Sequence, residues 1–172
     1  YFAKVSKGED FAFDEKEFLR IKDFFRVLLN INNFVNQLEK KRGRVRIEDK
    51  WILSKFNSLI ENIKENYNRF RFSEAVNSLE KFLAFELSRS YIKIIRERND
   101  EVYDILNNIR TNLLKLLAPI CPFITEKIWQ ELKKKKIVKE DSVHLSSWPK
   151  ADNKLINKKL EKEFEVILKI IE

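Results

Sequence analysis

Carboxylates are plentiful in this sequence, but most fall at predicted solvent-facing helix positions beside Lys and Arg, and they form no recognised catalytic motif. His144 is the one histidine among 172 residues, and it falls in an irregular stretch where packing or surface roles are commoner than catalysis. Glycine-rich phosphate loops, the HExxH zinc motif and the GxSxG nucleophile motif are all missing from the sequence. Because catalysis needs titratable groups that converge in a pocket, we expect no catalytic residue in this stretch of chain.

A dense group of cations is better suited to chemistry of another kind, the binding of a polyanion. Five cations fall within residues 40–46, and they are Lys40, Lys41, Arg42, Arg44 and Arg46. This segment, the basic corner, lies between two predicted helices. Lys50 and Lys55 follow, and only Glu48 and Asp49 offset the charge locally. Such a cluster can neutralise nucleic-acid phosphates, although a solvated charge run without a ligand is the alternative.

Amide side chains and one tryptophan flank the basic corner. The preceding helix carries a run of amides, although amides are poor helix formers; these are Asn30, Asn32, Asn33, Asn36 and Gln37. Their paired donors and acceptors can read the edges of unpaired bases. Trp51 follows the corner, beside the apolar stripe of its helix, and could stack on an unpaired base while the cations hold phosphates. In the alternative interpretation, Trp51 belongs to the core.

Long amphipathic helices must position these residues. Apolar side chains recur at three- and four-residue steps, which predicts helices at about residues 15–38, 48–66, 73–98, 101–117, 123–135 and 153–171. Asp14 should cap the first helix after a loop at residues 7–13. Residues 137–149 are expected to be irregular, with an extended piece at 143–145.

The composition favours an all-α fold. Two glycines and three prolines are too few for the turns of a sheet protein of 172 residues. Long helices with short connections pack instead as an antiparallel bundle. We expect the bundle to cover residues 1–135 and a small, helical and irregular C-terminal subdomain to cover residues 136–172.

Charge, hydropathy and cysteine content limit the classes of binding partner and the cellular compartment that fit this sequence. The formal net charge of +8 favours a polyanion such as RNA or DNA. No apolar run is long enough to cross a membrane. The single cysteine, Cys121, excludes an internal disulfide and fits a cytoplasmic protein. The lack of methionine predicts that these residues belong to a longer polypeptide.

Four segments match, in order, the motifs of a known family. Residues 49–57, DKWILSKFN, resemble D-(R/K)-W-I-L-S-(R/K)-L-N, with Phe56 at the usual Leu. Residues 87–98 resemble its Tyr-containing helix, although Ser90 replaces the usual Trp. LAPICPFITEKIW at 117–129 and SVHLSSWP at 142–149 also match. The chain thus resembles the anticodon-binding domain of class I aminoacyl-tRNA synthetases of the isoleucyl, valyl and leucyl group, and most of all an archaeal-type isoleucyl enzyme.

The resemblance implies a helical bundle that binds the anticodon stem-loop of tRNA. It implies an isoleucine-tRNA ligase as the parent protein, with a valyl or leucyl enzyme as alternatives, and its catalytic and editing domains as partners in the same polypeptide. That parent would use ATP and Mg²⁺ elsewhere, since the HIGH and KMSKS motifs of the ATP site are missing here. We expect no cofactor or metal in this stretch, a monomer, and a cytoplasmic location.

These considerations predict one RNA-binding surface. In the family, the corner, the aromatic residue after it and the helix start near residues 122–127 lie close to the anticodon loop. The candidate residues are therefore Asn33, Asn36, Gln37, Lys40, Lys41, Arg42, Arg44, Arg46, Lys50, Trp51, Lys55, Phe123 and Lys127. A helical protein-interaction domain, in which the lysines serve solubility, is the second interpretation. A DNA-binding domain is a third, but no helix-turn-helix pattern supports it.

Overall fold

The computed structural model describes residues 14–171, and helices joined by short segments make up most of this part. The loop predicted at residues 7–13 lies outside it. The helices are α1 (Glu15–Gln37), α2 (Ile47–Asn68), α3 (Phe72–Lys81), α4 (Tyr103–Leu117), α5 (Pro122–Lys134) and α6 (Lys158–Ile171). No strand occurs within the described residues, so the expected all-α class is confirmed. No helix of the described part is long and apolar enough to cross a membrane.

The start of α1 follows the capping pattern seen in the sequence. The side chain of Asp14 accepts a hydrogen bond from the backbone N–H of Lys16 at 2.9 Å. Glu15 and Glu17 lie in the first turn, where their charge interacts favourably with the helix dipole. The second half of α1 buries Leu28, Ile31 and Val35, whereas its first half is largely exposed. The C-terminal half of α1 is therefore the part that the core holds in place.

The long helix predicted at residues 73–98 changes its winding along its length. After α3 the chain continues as a π-helix over Phe82–Tyr91 and then passes through a 3-10 helix, Arg96–Val102. The predicted break at Asn99–Asp100 falls within this segment, where Arg98 departs from helical geometry with φ −135° and ψ 28°. The kink brings the segment at residues 96–104 against the basic corner.

The C-terminal segment packs on α2. The expected extended piece at residues 143–145 is wrong, because Val143–Leu145 forms a 3-10 turn that the Ser142 side chain caps. A second 3-10 turn, Asn153–Leu155, precedes α6, which begins at Lys158 and not near residue 153. Leu160 and Phe164 of α6 join the core of the bundle. The division into domains at residue 135 stays a prediction.

Candidate nucleic-acid interface

The basic corner is an exposed connection with no helical turns of its own. Residues 38–46 link α1 to α2 without regular structure, and residues 40–46 are all exposed. Its end is fixed by α2, since the backbone N–H of Arg46 donates to Asp49 Oδ2 at 2.8 Å. Its middle depends on the kinked segment at residues 96–104.

Asp100 attaches the corner to that kinked segment. Its carboxylate accepts from the backbone N–H of Glu39 at 3.1 Å and from Lys41 Nζ at 2.7 Å. Its carbonyl oxygen accepts from the backbone N–H of Lys41 at 3.3 Å. The side-chain hydrogen bond between Lys41 and Asp100 raises the pKa of the lysine and lowers the pKa of the carboxyl group. Both groups therefore stay ionised near neutral pH.

The cations of the corner, together with Lys50 just after it, divide into paired and unpaired ones. Lys40 Nζ lies 2.8 Å from Asp104 Oδ1, and Arg46 Nη2 lies 3.8 Å from Glu101 Oε2. Lys41 is paired with Asp100. No carboxylate of the described residues lies within ion-pairing distance of the remaining cations, which are Arg42, Arg44 and Lys50. These three retain an uncompensated positive charge.

Gly43 lets the corner lie directly on the kinked segment. A Cβ atom at Gly43 would lie 2.5 Å from the Cβ of Glu101 and 2.9 Å from its carbonyl oxygen, so no larger residue fits without a shift. Beside this contact is an open cleft of about 420 Å³. Residues 40–45 line one wall, and Glu101, Asp104 and Ile105 line the other.

Trp51 is not available for a base to stack on, and this part of the prediction is wrong. Its side chain is 1% exposed. The Phe164 ring stacks on it, with centroids 5.0 Å apart and an interplanar angle of 11°. The aromatic partner expected from RNA is thus supplied by α6, and the alternative core interpretation is the correct one.

Lys55 is not exposed in the structure, although the sequence pattern placed it on the RNA-binding surface. Its side chain is 13% exposed, and Nζ lies 2.8 Å from Glu86 Oε1 and 3.3 Å from Glu165 Oε1. Burial lowers the pKa of Lys55, but the hydrogen bonds and charges of the two glutamates outweigh burial, and the net shift is upward. Because two carboxylates already compensate this cation, we remove it from the candidate RNA-binding residues.

The rest of the motif at residues 49–57 also joins helices together. Asp49 is fully buried, and its Oδ1 accepts from Tyr91 Oη at 2.7 Å and from Arg98 Nη2 at 2.7 Å. Ser54 Oγ donates to Glu161 Oε1 at 2.6 Å, and the Asn57 side chain accepts from the backbone N–H of Asp152 at 2.7 Å. The motif that pointed to RNA in the sequence therefore holds the bundle together, and only Lys50 within it is an exposed cation.

The amides of α1 fall into two groups. Asn33 and Gln37 are exposed. Asn36 is half-buried and accepts from Arg110 Nη1 at 2.9 Å, while Asn107 of α4 accepts from Arg110 Nη2 at 2.5 Å. Since a guanidinium only donates, Arg110 fixes the oxygen atoms of both amides toward itself.

Arg110 is a buried cation that the sequence did not reveal. It is 3% exposed, and no carboxylate of the described residues forms an ion pair with it. Burial lowers its pKa to about 10, and the guanidinium remains charged at neutral pH. A hint was present in the amides of α1, which are poor helix formers and here supply oxygen acceptors to Arg110, with Asn32 as a further one.

Phe123 and Lys127 lie at the opposite end of α4 from the basic corner. The corner contacts residues at the start of α4, whereas α5 follows its end. The 15 residues of α4 span about 22 Å. Phe123 is 90% exposed, and Lys127 is also exposed. The structure therefore separates the predicted surface into two patches.

Comparisons with known proteins cover most of the chain. Residues 49–172 match the family described as anticodon-binding domain of tRNA ligase. Isoleucine–tRNA ligase of Pyrococcus horikoshii is 40% identical over 136 residues, which cover 74% of this chain and 13% of that protein. The isoleucine–tRNA ligase of Methanopyrus kandleri is 35% identical over 78% of the chain and 13% of its own length. Valine–tRNA ligase of Pseudothermotoga lettingae is 30% identical over 97% of the chain and 20% of its own length.

A solved structure shares the fold. LeuRS of Agrobacterium radiobacter K84, solved in a ternary complex with tRNA and LeuAMS, aligns with a TM-score of 0.55 at 18% identity, over 83% of this chain and 17% of that one. The chain spans 13% to 20% of the length of the ligases named above. The resemblance inferred from the sequence motifs is confirmed, including its likeness to archaeal isoleucyl enzymes. The chain belongs to the family of anticodon-binding domains of tRNA ligases.

Proposed function

We propose that the chain binds the anticodon stem-loop of tRNA as a module of an isoleucine-tRNA ligase. The observation that carries the proposal is the set of three exposed cations without carboxylate partners among residues 14–171, which are Arg42, Arg44 and Lys50. Family membership favours tRNA as the polyanion that these cations bind. The identity to isoleucine–tRNA ligases favours tRNA(Ile) as the cognate tRNA.

The whole protein would join isoleucine to tRNA with ATP and Mg²⁺. In this proposal that chemistry belongs to catalytic and editing domains outside the present chain, and the protein acts as a cytoplasmic monomer. A valine-tRNA ligase is the second candidate, because the relative from Pseudothermotoga lettingae aligns with 97% of the chain.

In this proposal, different exposed residues contact different parts of the RNA. Arg42, Arg44 and Lys50 would meet backbone phosphates, which position RNA without reading its sequence. Asn33 and Gln37 would hydrogen-bond base edges. Phe123 replaces Trp51 as the ring on which an unpaired base stacks, since its side chain is 90% exposed. The two patches, about 22 Å apart along α4, would contact separate parts of the stem-loop.

Filter binding over a range of salt concentrations tests this proposal. The wild-type chain should bind a tRNA(Ile) transcript more tightly than tRNA(Val), tRNA(Leu) and an unrelated tRNA. Each lost phosphate contact flattens the plot of log affinity against log salt by about 0.7 to 0.9, so the variant R42A/R44A/K50A should lose about 2 to 3 from the slope. Removing three exposed lysines elsewhere, in K134A/K135A/K139A, is the matched control and should leave the slope near that of wild type. Equal slopes for the corner variant and wild type would contradict the proposal.

A further inference from the structure

Asp100 contacts Glu39 and Lys41 through backbone hydrogen bonds as well as through its ion pair with Lys41. Its carboxylate and its carbonyl oxygen together accept from the backbone N–H groups of Glu39 and Lys41 and from Lys41 Nζ. We propose that Asp100 is a positioning residue for RNA binding, which holds the corner in one conformation and leaves Arg42 and Arg44 as the cations that meet phosphates. This inference rests on the proposed function and deepens it.

The corner depends on contacts from outside, because it has no helical hydrogen bonds of its own. Residues 38–46 lack regular structure. Asp100 holds the connection at Glu39 and Lys41, and the capping contact of Asp49 holds its last residue, Arg46. Between these anchors Gly43 lies against Glu101. Arg42 and Arg44 flank that contact, so the anchors restrict the backbone on both sides of the two arginines.

Pairing removes Lys40 and Lys41 from the set of free cations. Lys41 lies 2.7 Å from Asp100 and Lys40 lies 2.8 Å from Asp104, so phosphates would have to displace a carboxylate to reach either lysine. The upward shift of the Lys41 pKa agrees with a pair that stays charged. We therefore assign Lys40 and Lys41 to the corner's attachment and not to its phosphate contacts.

Asp100 and Asp104 allow a test in which two explanations predict opposite changes in RNA affinity when Asp100 is removed. Both are carboxylates beside the corner, so both repel phosphates, and simple electrostatics predicts that removing either one tightens RNA binding. Among the described residues, Asp104 joins the corner through an exposed ion pair with Lys40, whereas the Asp100 carboxylate also accepts from the backbone N–H of Glu39, the residue before the corner. The positioning role predicts that removal of Asp100 weakens binding in spite of the lost negative charge.

The experiment compares D100A with D104A in the whole 172-residue chain, with a tRNA(Ile) transcript in filter binding. D100A keeps the carbonyl contact to the backbone N–H of Lys41 but loses both carboxylate contacts, to Glu39 and to Lys41 Nζ. It should bind about tenfold more weakly, because the loosened connection must be reordered when RNA binds. D104A should bind equally or up to about twofold more tightly. D100N should fall between wild type and D100A, since its amide oxygen can still accept from the backbone N–H of Glu39.

Tryptic cleavage after Arg42 and Arg44 reports on the corner itself. D100A should be cut there several-fold faster than wild type, while D104A should be cut at the wild-type rate and thermal unfolding should be alike in all three proteins. The Asp100 carboxylate contacts Glu39 and Lys41 of the connection, and thermal unfolding of D100A checks whether its removal also affects the bundle. If D100A melts earlier, D100N supplies the comparison at wild-type stability.

The outcomes separate this inference from the proposed function. If wild type shows salt-dependent tRNA binding and R42A/R44A/K50A lowers it, but D100A and D104A change affinity in the same direction, the positioning role of Asp100 is overturned and the proposed function stands. Unchanged cleavage of D100A at Arg42 and Arg44 would also overturn it. If wild type and R42A/R44A/K50A bind tRNA equally, the proposed function fails, and this inference fails with it.

Discussion

Trp51 and Phe123 occupy opposite extremes of exposure, 1% and 90%. Trp51 packs between helices and stacks on Phe164, whereas Phe123 is the second residue of α5, after Pro122. A ring that is 1% exposed cannot accept a base unless the helices around it move apart. The two residues should therefore affect different properties of the molecule when they are truncated.

Trp51→Ala should destabilise the fold, and Phe123→Ala should weaken RNA binding. Removing a buried tryptophan costs about 3–5 kcal/mol of unfolding free energy, which urea unfolding measures. Phe123→Ala should change that free energy by less than about 0.5 kcal/mol and weaken tRNA(Ile) binding by about 1–3 kcal/mol. Phe70→Ala, which removes another exposed ring, is the control for loss of surface aromatics. Wild-type stability of Trp51→Ala together with weakened RNA binding would restore the original stacking role.

At the scale of elements, α6 is joined to α2 by a buried polar contact as well as by apolar packing. Glu161 Oε1 accepts from Ser54 Oγ at 2.6 Å and from Ser58 Oγ at 2.7 Å. Lys158 Nζ lies 3.2 Å from Glu161 Oε2. Burial raises the pKa of Glu161, but these hydrogen bonds and the lysine charge outweigh burial, and the pKa is lowered overall. The ionised carboxylate thus stabilises the docked helix.

Acid should weaken this docking, and Glu161→Gln should remove part of the pH dependence. A carboxyl group with a lowered pKa in the folded state stabilises above the pKa of the unfolded state, and that stabilisation disappears as pH falls through the folded value. The relevant window begins near pH 4.5, the ordinary value for glutamate, and extends below it. Urea unfolding between pH 7 and pH 3 should show a smaller loss for E161Q than for wild type. E163Q, at an exposed position of the same helix, should keep the wild-type loss, and identical profiles for all three would refute the role of Glu161.

At the scale of the whole molecule, periodic features were predictable and long-range partners were not. Helices α1 and α2 end within two residues of their predicted bounds, because an amphipathic stripe and a capping residue are local properties. The π-helical winding at Phe82–Tyr91 leaves no comparable local signal. The basic corner was also visible, since its charges are adjacent in sequence.

The errors at the candidate site have one physical origin. Trp51 meets a ring 113 positions later, at Phe164, and Lys55 meets Glu86 and Glu165. No local pattern shows that such partners will come together, so a buried tryptophan and a compensated lysine look like an exposed ring and a free cation. The same limit applies to Asp100, whose hydrogen bonds to Glu39 and Lys41 cross about 60 positions of sequence.

The contacts between α6 and α2 predict that the bundle needs the C-terminal segment. Removing residues 152–172 would uncover Trp51 and leave the side chains of Ser54 and Asn57 without Glu161 and Asp152. Since exposing a large buried ring and unpairing buried polar groups both cost free energy, a chain that ends at residue 151 should lose about 3 kcal/mol or more. Urea unfolding followed by tryptophan fluorescence measures this, and Trp51 should report greater solvent contact in the shortened native state. A chain ending at residue 168, which keeps Glu161 and Phe164, is the control. If the chain ending at residue 151 unfolds with the same free energy as wild type, it is an independent unit and the contacts of α6 add nothing to stability.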